Sequence, residues 1–464
     1  AQDEAESRKA ELAQRAIEAA SGDYRTVSSR SAELDDAARR REELEGRMQA
    51  ARGRLDEISD VEGQVEAMLA RLDEREKELV GQYRREGGAI LSEKAAFEEE
   101  RRGLAAIVGA DLMGRYERVA KAKDLGLPKF RVKQLANHYF GRLETESEAF
   151  TDLPAATRGD IVEAFFPPLI DEVTHQVADQ GTTIKTLWRL FDGSHIESVL
   201  MRYPNRTTLC ISSQVGCGMG CPFCATGKLG LTRNMSTGEI LEQVRVAARM
   251  MRDGEMAGGP GRLSNIVFMG MGEPMGNYRS VLSAVRQISA MPPEGFGISA
   301  RNITVSTVGV VPGIRKLAAE GIPVRLAVSL HAPSDALRDE LVPMNKRFNT
   351  TQVLDAAHDY FLSSKRRVSI EYALMRGIND QAEHARLLAK RLNHYGDDWA
   401  HVNPIPLNPI EGSRWTASKP EDEQQFLDIL HRAGITATLR DTRGSDIDGA
   451  CGQLAAKTKE AFAA

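Results

Sequence analysis

The sequence predicts an α/β fold, a partial (β/α) barrel preceded by a helical accessory domain and an α-helical coiled coil, and three observations predict it. Apolar runs of strand length at Asn265–Met269, Ile303–Ser306, Val324–Leu330, Val368–Leu374, Ala400–Ile405 and Thr436–Leu439 are separated by helical stretches such as Thr237–Arg252 and Tyr278–Ala290. Alternation at that spacing builds a parallel sheet covered by helices, and six or more such units suit a barrel or partial barrel with its chemistry at the C-terminal strand ends. Upstream, the period falls to two across Thr183–Phe191 and His195–Tyr203, around Asp192-Gly193, a turn dipeptide suited to a two-residue hairpin. Further upstream, apolar spacing alternates between four and three from Leu44 through Leu55 and Leu69 to Leu79, which is the seam of a coiled coil.

In chain order, residues 1–113 read as two helices folded back across Gly87-Gly88, an antiparallel coiled coil that acts as a spacer or a self-association arm. Residues 114–180 form the accessory domain. A new composition opens at Leu125-Gly-Leu-Pro-Lys-Phe-Arg131, and residues 130–178 read as short helices carrying Tyr139, Phe140 and Phe165-Phe166-Pro167-Pro168. Residues 181–464 form the main domain, which begins with the hairpin.

The net charge of −5 is unevenly spread: residues 1–110 hold 26 acidic and 19 basic side chains, leaving 40 and 42 for the remainder. The acidic balance therefore does not argue against a polyanionic substrate for the main domain. No run approaches the roughly 18 apolar residues of a membrane helix. The start, Ala1-Gln2-Asp3-Glu4, carries neither Met nor a basic-then-apolar leader, so the expected location is the cytoplasm and residue 1 reads as a fragment or processed start.

The five cysteines stand at 210, 217, 221, 224 and 451. An odd, clustered set points to metal or redox chemistry rather than a disulfide framework. Cys217, Cys221 and Cys224, in Cys217-Gly-Met-Gly-Cys221-Pro-Phe223-Cys224, can wrap one inorganic cluster on a loop after the Thr207–Ser212 strand. Three thiolates on a four-iron cluster leave one iron open to chelate a ligand. The plain alternative is zinc with Cys210 or Cys451 as fourth ligand, although structural zinc usually shows two knuckles and this chain has one.

Met269-Gly270-Met271-Gly272-Glu273-Pro274 follows an apolar strand; a dinucleotide fingerprint there is disfavoured by Pro274 and by the lack of a helix start. Cys210 and Cys451 lie outside the cluster loop. A lone cysteine is usually a small buried hydrophobe, but Cys451 sits in Gly449-Ala-Cys451-Gly-Gln, an uncrowded backbone suited to covalent work.

The CxxxCxΦC loop and the Gly-Glu-Pro segment resemble the radical S-adenosylmethionine (SAM) superfamily. Thr208-Leu-Cys210-Ile-Ser-Ser-Gln-Val-Gly-Cys217, Met-Gly-Met-Gly-Glu-Pro, Ser329-Leu330-His331-Ala332-Pro333 and Gly449-Ala-Cys451-Gly-Gln-Leu resemble one family within it, from about Leu125 to Leu454. That family is the dual-specificity ribosomal and transfer RNA adenine-C2 methyltransferases. The resemblance implies a barrel of the radical SAM type, a 4Fe-4S cluster on Cys217, Cys221 and Cys224, and SAM bound by Gly272, Glu273, Ser306, Ser329, Leu330, His331 and Asn408. It further implies that Cys451 is methylated, that its methylene radical adds to adenine C2, that Glu197 takes the C2 proton, and that Cys210 attacks the Cys451 sulfur to free the product. From its strand alternation alone, Glu197 reads as a solvent-facing carboxylate. Thr307-Val308 stands where the family has Thr-Ser, and Leu407 where an aromatic often sits. The coiled coil lies outside this match and resembles the coiled-coil half of actinobacterial zinc-ribbon proteins, without their ribbon.

The implied partners are 23S rRNA, tRNA and a reducing donor of flavodoxin or ferredoxin type. Candidate phosphate contacts are Lys346-Arg347, Lys365-Arg366-Arg367, Arg440 and Arg443, with Lys129, Arg131 and Lys133 in the accessory region. The rival readings are a C8-methylating relative with the same cysteines, and a coiled-coil adaptor with an inactive barrel.

Overall fold

The computed structural model describes residues 6–18, 125–408, 413–441, 443 and 452–455, with single positions at 21, 45 and 122. The chain divides into two units, Ala1–Phe97 and Glu98–Ala464. In the first, residues 6–18 are helical; the heptad seam at 44–79 lies outside the described residues apart from Glu45.

The second unit is built on one nine-stranded sheet. Its first four strands, β1 (Ile170–Ala178), β2 (Thr183–Leu190), β3 (His195–Tyr203) and β4 (Arg206–Cys210), pair antiparallel in sequence order. Two short strands, β5 (Gln214–Gly216) and β6 (Leu231–Asn234), pair with each other and bracket the cysteine loop. The sheet then continues parallel from β4 through β7 (Asn265–Phe268), β8 (Ile303–Thr307), β9 (Arg325–Ser329), β10 (Val368–Leu374) and β11 (Ala400–Pro406). Six parallel strands in linear order, from β4 to β11, form the expected partial barrel.

Helices cover the outer face because each carries an apolar stripe. Thr237–Asp253 buries Ile240, Leu241, Val244 and Met251, and starts at a capping box in which Ser236 and Glu239 satisfy one another's backbone N–H groups. Asn349 and Gln352 make the same device at the start of Thr350–Ser364. In the accessory region, Tyr139 stacks on Phe166 at 5.1 Å, and His138 stacks on Phe150 at 4.0 Å.

Three sequence expectations are corrected. Residues 170–178, read as helical, form the edge strand β1. Ile170, Val173 and Val177 fall at helix-like intervals because a bulge between Glu172 and Thr174 shifts the strand's period. The hairpin loop is one residue longer than expected: Leu190 and Ser194 pair, leaving Phe191, Asp192 and Gly193, with Gly193 at φ 76°. Thr436–Leu439 runs beside β11, with Val402 bonded to Thr436 and Thr438, but only Ala437 makes a bridge and no regular strand forms.

Candidate active site at the C-terminal ends of the strands

The cysteine loop leaves β5, carries Cys217, Cys221 and Cys224, and enters the helix Ala225–Leu229. Gly216, at φ 74°, packs so tightly on the Gly230 carbonyl that no side chain fits there, and the Cys217 N–H donates to that same carbonyl at 2.8 Å. Cys217 and Cys221 are buried and Cys224 half-buried. Burial pushes the Cys217 thiol up to about 11, with Cys224 and Glu273 adding to the effect. Burial drives the Cys221 thiol higher still, followed by its neighbours Cys224 and Cys217. Two buried thiols held protonated beside a half-buried third are a donor set that a cationic cluster would satisfy, because thiolate is the ligating form. Among the described residues, no three His, Cys, Asp or Glu side chains converge on a single-ion point. Cysteine sulfur is the donor type that iron–sulfur clusters take, and one loop supplies three of them. The residues therefore fit the 4Fe-4S group.

Beside this loop lie two adjoining cavities that share Met269, Ile405 and Arg440. One, of about 200 Å³, is lined by Gly272, Glu273, Ser306, Ser329 and His331. Its neighbour, of about 310 Å³, is lined by Cys210, Cys224 and Asn408. Thus expected contacts from strands far apart in sequence meet at one end of the barrel. Leu330, expected at the SAM site, is fully buried and lines neither cavity; its N–H donates to the Glu371 carbonyl at 3.0 Å and its own carbonyl accepts from Arg338 Nε at 2.9 Å.

The Gly-Glu-Pro turn is clamped on the segment after β4. A side chain at Gly270 would come within 2.6 Å of the Ile211 carbonyl, and one at Gly272, φ 105°, within 2.6 Å of Gln214 Cβ. Gln214 Oε1 accepts from the Glu273 N–H at 2.8 Å. Glu273 is buried, which raises its carboxyl pKa, and its oxygens accept from Met275 N–H at 3.0 Å and Val308 N–H at 2.9 Å. Because Val308 contributes through its backbone, its departure from the family's serine leaves this contact intact.

His331 occupies the left-handed region at φ 59°, an uncommon place for a non-glycine residue. Its Nδ1 accepts from the Ala373 N–H at 3.0 Å, and its ring meets Phe223 of the cysteine loop edge-on at 5.1 Å. Burial, with a smaller push from Arg338, lowers its pKa to about 3, so the imidazole is neutral.

Glu197 is also buried, not solvent-facing. The register explains where it sits. Lys185 on β2 pairs with Val199 on β3, which pairs with Cys210 on β4, and Glu197 is two residues from Val199 on the same face. Glu197 Oε2 lies 2.9 Å from Lys185 Nζ and accepts from the Gly452 N–H at 2.8 Å; Oε1 accepts from the Ala455 N–H at 2.8 Å. Gly452 also packs against Thr226, two residues beyond Cys224. Cys451 lies outside the described residues, but its neighbour is anchored on the sheet face that carries Cys210.

Sequence reasoning missed three groups. Glu371 lines the smaller cavity, accepts from Ser369 Oγ at 2.6 Å and from Asn403 Nδ2 at 2.7 Å, and lies 3.8 Å from Arg440. Arg338, fully buried, donates to the carbonyls of Leu330, Ser329 and Val308 and to Asn345; burial lowers its pKa to about 10. Lys185 is the third. The interval from Glu371 to Arg440 carries no local signature, so only the fold brings these two together.

The model of the Radical SAM superfamily matches residues 211–389. A probable dual-specificity RNA methyltransferase RlmN from Bifidobacterium adolescentis is 84% identical over 363 residues, 78% of this chain and 94% of the relative. The protein of the same name from Nocardioides is 61% identical over 341 residues, covering 73% and 91% of the two chains. The chain belongs to this family of radical SAM RNA methyltransferases. The crystal structure of a radical SAM methyltransferase from Sphaerobacter thermophilus matches with a TM-score of 0.69 at 44% identity, over 73% of this chain and 97% of that one. Family membership makes the 4Fe-4S cluster and SAM the cofactors of this methyltransferase. Among the described residues, no helix is long and apolar enough to cross a membrane.

Proposed function

We propose that the chain methylates C2 of adenine in 23S rRNA and tRNA, with Cys451 as methyl carrier, Cys210 as resolving thiol and Glu197 as proton acceptor. The observation that carries this reading is the bond from Gly452 N–H to Glu197, which holds the residue after Cys451 on the sheet face shared with Cys210. Cys217, Cys221 and Cys224 would hold the cluster, with Gly272, Glu273, Ser306, Ser329, Leu330, His331 and Asn408 around SAM. Bound there, these groups supply the one-electron chemistry that an electron-poor aromatic carbon requires.

The chain's own residues do the rest. The cavity beside Cys210 and Asn408 takes an unpaired adenine, which must leave its stack to reach it. Glu197 Oε1 accepts one N–H, that of Ala455, which leaves a lone pair of the carboxylate to take the proton. The Cys210 thiolate then attacks the Cys451 sulfur: a disulfide forms, the bond from that sulfur to the methylene carbon breaks, and its electron pair passes to the base, which leaves with the proton-completed methyl group. An external reductant of flavodoxin or ferredoxin type, acting in the cytoplasm, supplies electrons. The coiled coil of residues 1–113 acts as a separate module for self-association.

Iron and sulfide analysis of anaerobically purified protein tests the cofactor assignment. A brown chromophore with roughly four irons per chain supports it, and stoichiometric zinc without colour overturns it. Mass analysis of the modified adenine then decides position: methyl at C8 instead of C2 would replace this reading with that of the C8-methylating relative.

A further inference from the structure

The end of the barrel opposite the cysteines carries a second polar cavity, of about 310 Å³, lined by Arg325, Arg366, Arg367, Ser369 and His401. Arg325 opens β9, Arg367 directly precedes β10, and His401 is the second residue of β11, so three adjacent parallel strands deliver their first side chains to one mouth. Ser329, on the reaction side, lies four residues from Arg325 along β9, about 13 Å.

Among the described residues, no acidic side chain lines this mouth. Among the described residues Arg325, Arg367 and His401 make no hydrogen bond or ion pair through their side chains, and Arg366 bonds only to the Arg301 carbonyl, at 2.9 Å. The Arg366 Nε is buried and lacks a partner among the described residues. The cations also oppose one another: after burial, Arg325 and Arg301 depress the Arg366 pKa, and Arg367 and Arg325 depress that of His401. Ordinary surface arginines relieve such repulsion by pairing or by spreading apart. Here the starts of three adjacent strands hold the backbones that carry these cations close together.

We propose that this cavity binds a phosphate-bearing anion, gripped by the forked donors of Arg325, Arg366 and Arg367 at the N-terminal mouth of the barrel. Guanidinium forks match phosphate oxygens two at a time, which accounts for arginine rather than lysine at all three places. The site is separate from the reaction cleft. It does not depend on which base, or which carbon of it, is methylated.

Titration of the full chain with inorganic pyrophosphate by calorimetry tests the proposal. The expected result is saturable binding, weakened about tenfold or more in Arg325→Gln/Arg367→Gln. It should be unchanged in Lys390→Ala/Arg432→Ala, which removes two exposed cations elsewhere. Arg367→Lys, which keeps the charge and loses the fork, should fall between. Absence of saturable binding by the unaltered chain, or equal weakening in both double variants, overturns the site. An RNA oligonucleotide without a target adenine separates the sources: displacement of pyrophosphate assigns the site to nucleic-acid backbone, and failure to displace assigns it to a free phosphate ligand.

Discussion

Lys185 Nζ lies 2.9 Å from Glu197 Oε2, and both side chains are almost wholly removed from solvent. The pair is not isolated, because Glu197 also holds the Gly452 and Ala455 N–H groups. Lys185 therefore positions a carboxylate that in turn positions the segment following Cys451.

Lys185→Met should leave that carboxylate buried without its cation. Breaking one side of a buried pair costs about 3–5 kcal/mol, seen as a lower denaturant midpoint. Methyl transfer should stall with protein covalently attached to RNA, since a misplaced Glu197 no longer receives the proton. A variant with normal stability and turnover would show that Glu197 needs only the backbone donors.

The two outlying cysteines make opposite predictions. Cys451→Ala should give neither methylated RNA nor a covalent adduct. Cys210→Ala should trap protein crosslinked to RNA, visible as a shifted band that ribonuclease collapses. Normal turnover by Cys210→Ala would remove its resolving role.

Gly272→Ala should be costly although it adds one methyl group. The backbone at φ 105° strains any side chain, and the new Cβ would lie 2.6 Å from Gln214 Cβ. A penalty of about 1–3 kcal/mol follows, together with weaker SAM binding by equilibrium dialysis of the reconstituted enzyme.

His331 should give the acid limb of stability a measurable slope. Its folded pKa, near 3, is below the ordinary histidine value of 6.5. The unfolded chain therefore binds the extra proton first, and stability is lost as pH falls from about 6.5 toward 3. His331→Asn retains a hydrogen-bond acceptor and should flatten that limb in denaturant titrations at successive pH values.

Much of the site was legible because its signals are local. Three cysteines within eight residues point to metal chemistry without knowledge of neighbours, and with the Gly-Glu-Pro step they carry the family resemblance. The β/α alternation was legible for the same reason, since burying one face of each element writes a period into the chain. Edge strand β1 was misread because a bulge changed its period while most of its residues stayed exposed.

The sequence by itself determined the β/α alternation that builds the barrel and the three-cysteine loop with its family resemblance. Only the tertiary structure decided that Glu197 is buried against Lys185 and fastened to Gly452, that Arg338 lies beneath Leu330, and that Arg325 meets Arg367 and His401 at the far mouth. The Gly452 bond and the meeting of Arg325 with Arg367 and His401 join segments far apart in the chain, whereas the Lys185–Glu197 pair is set by the register of two neighbouring strands. Register is set by the packing of whole faces and leaves no mark in any short window of residues.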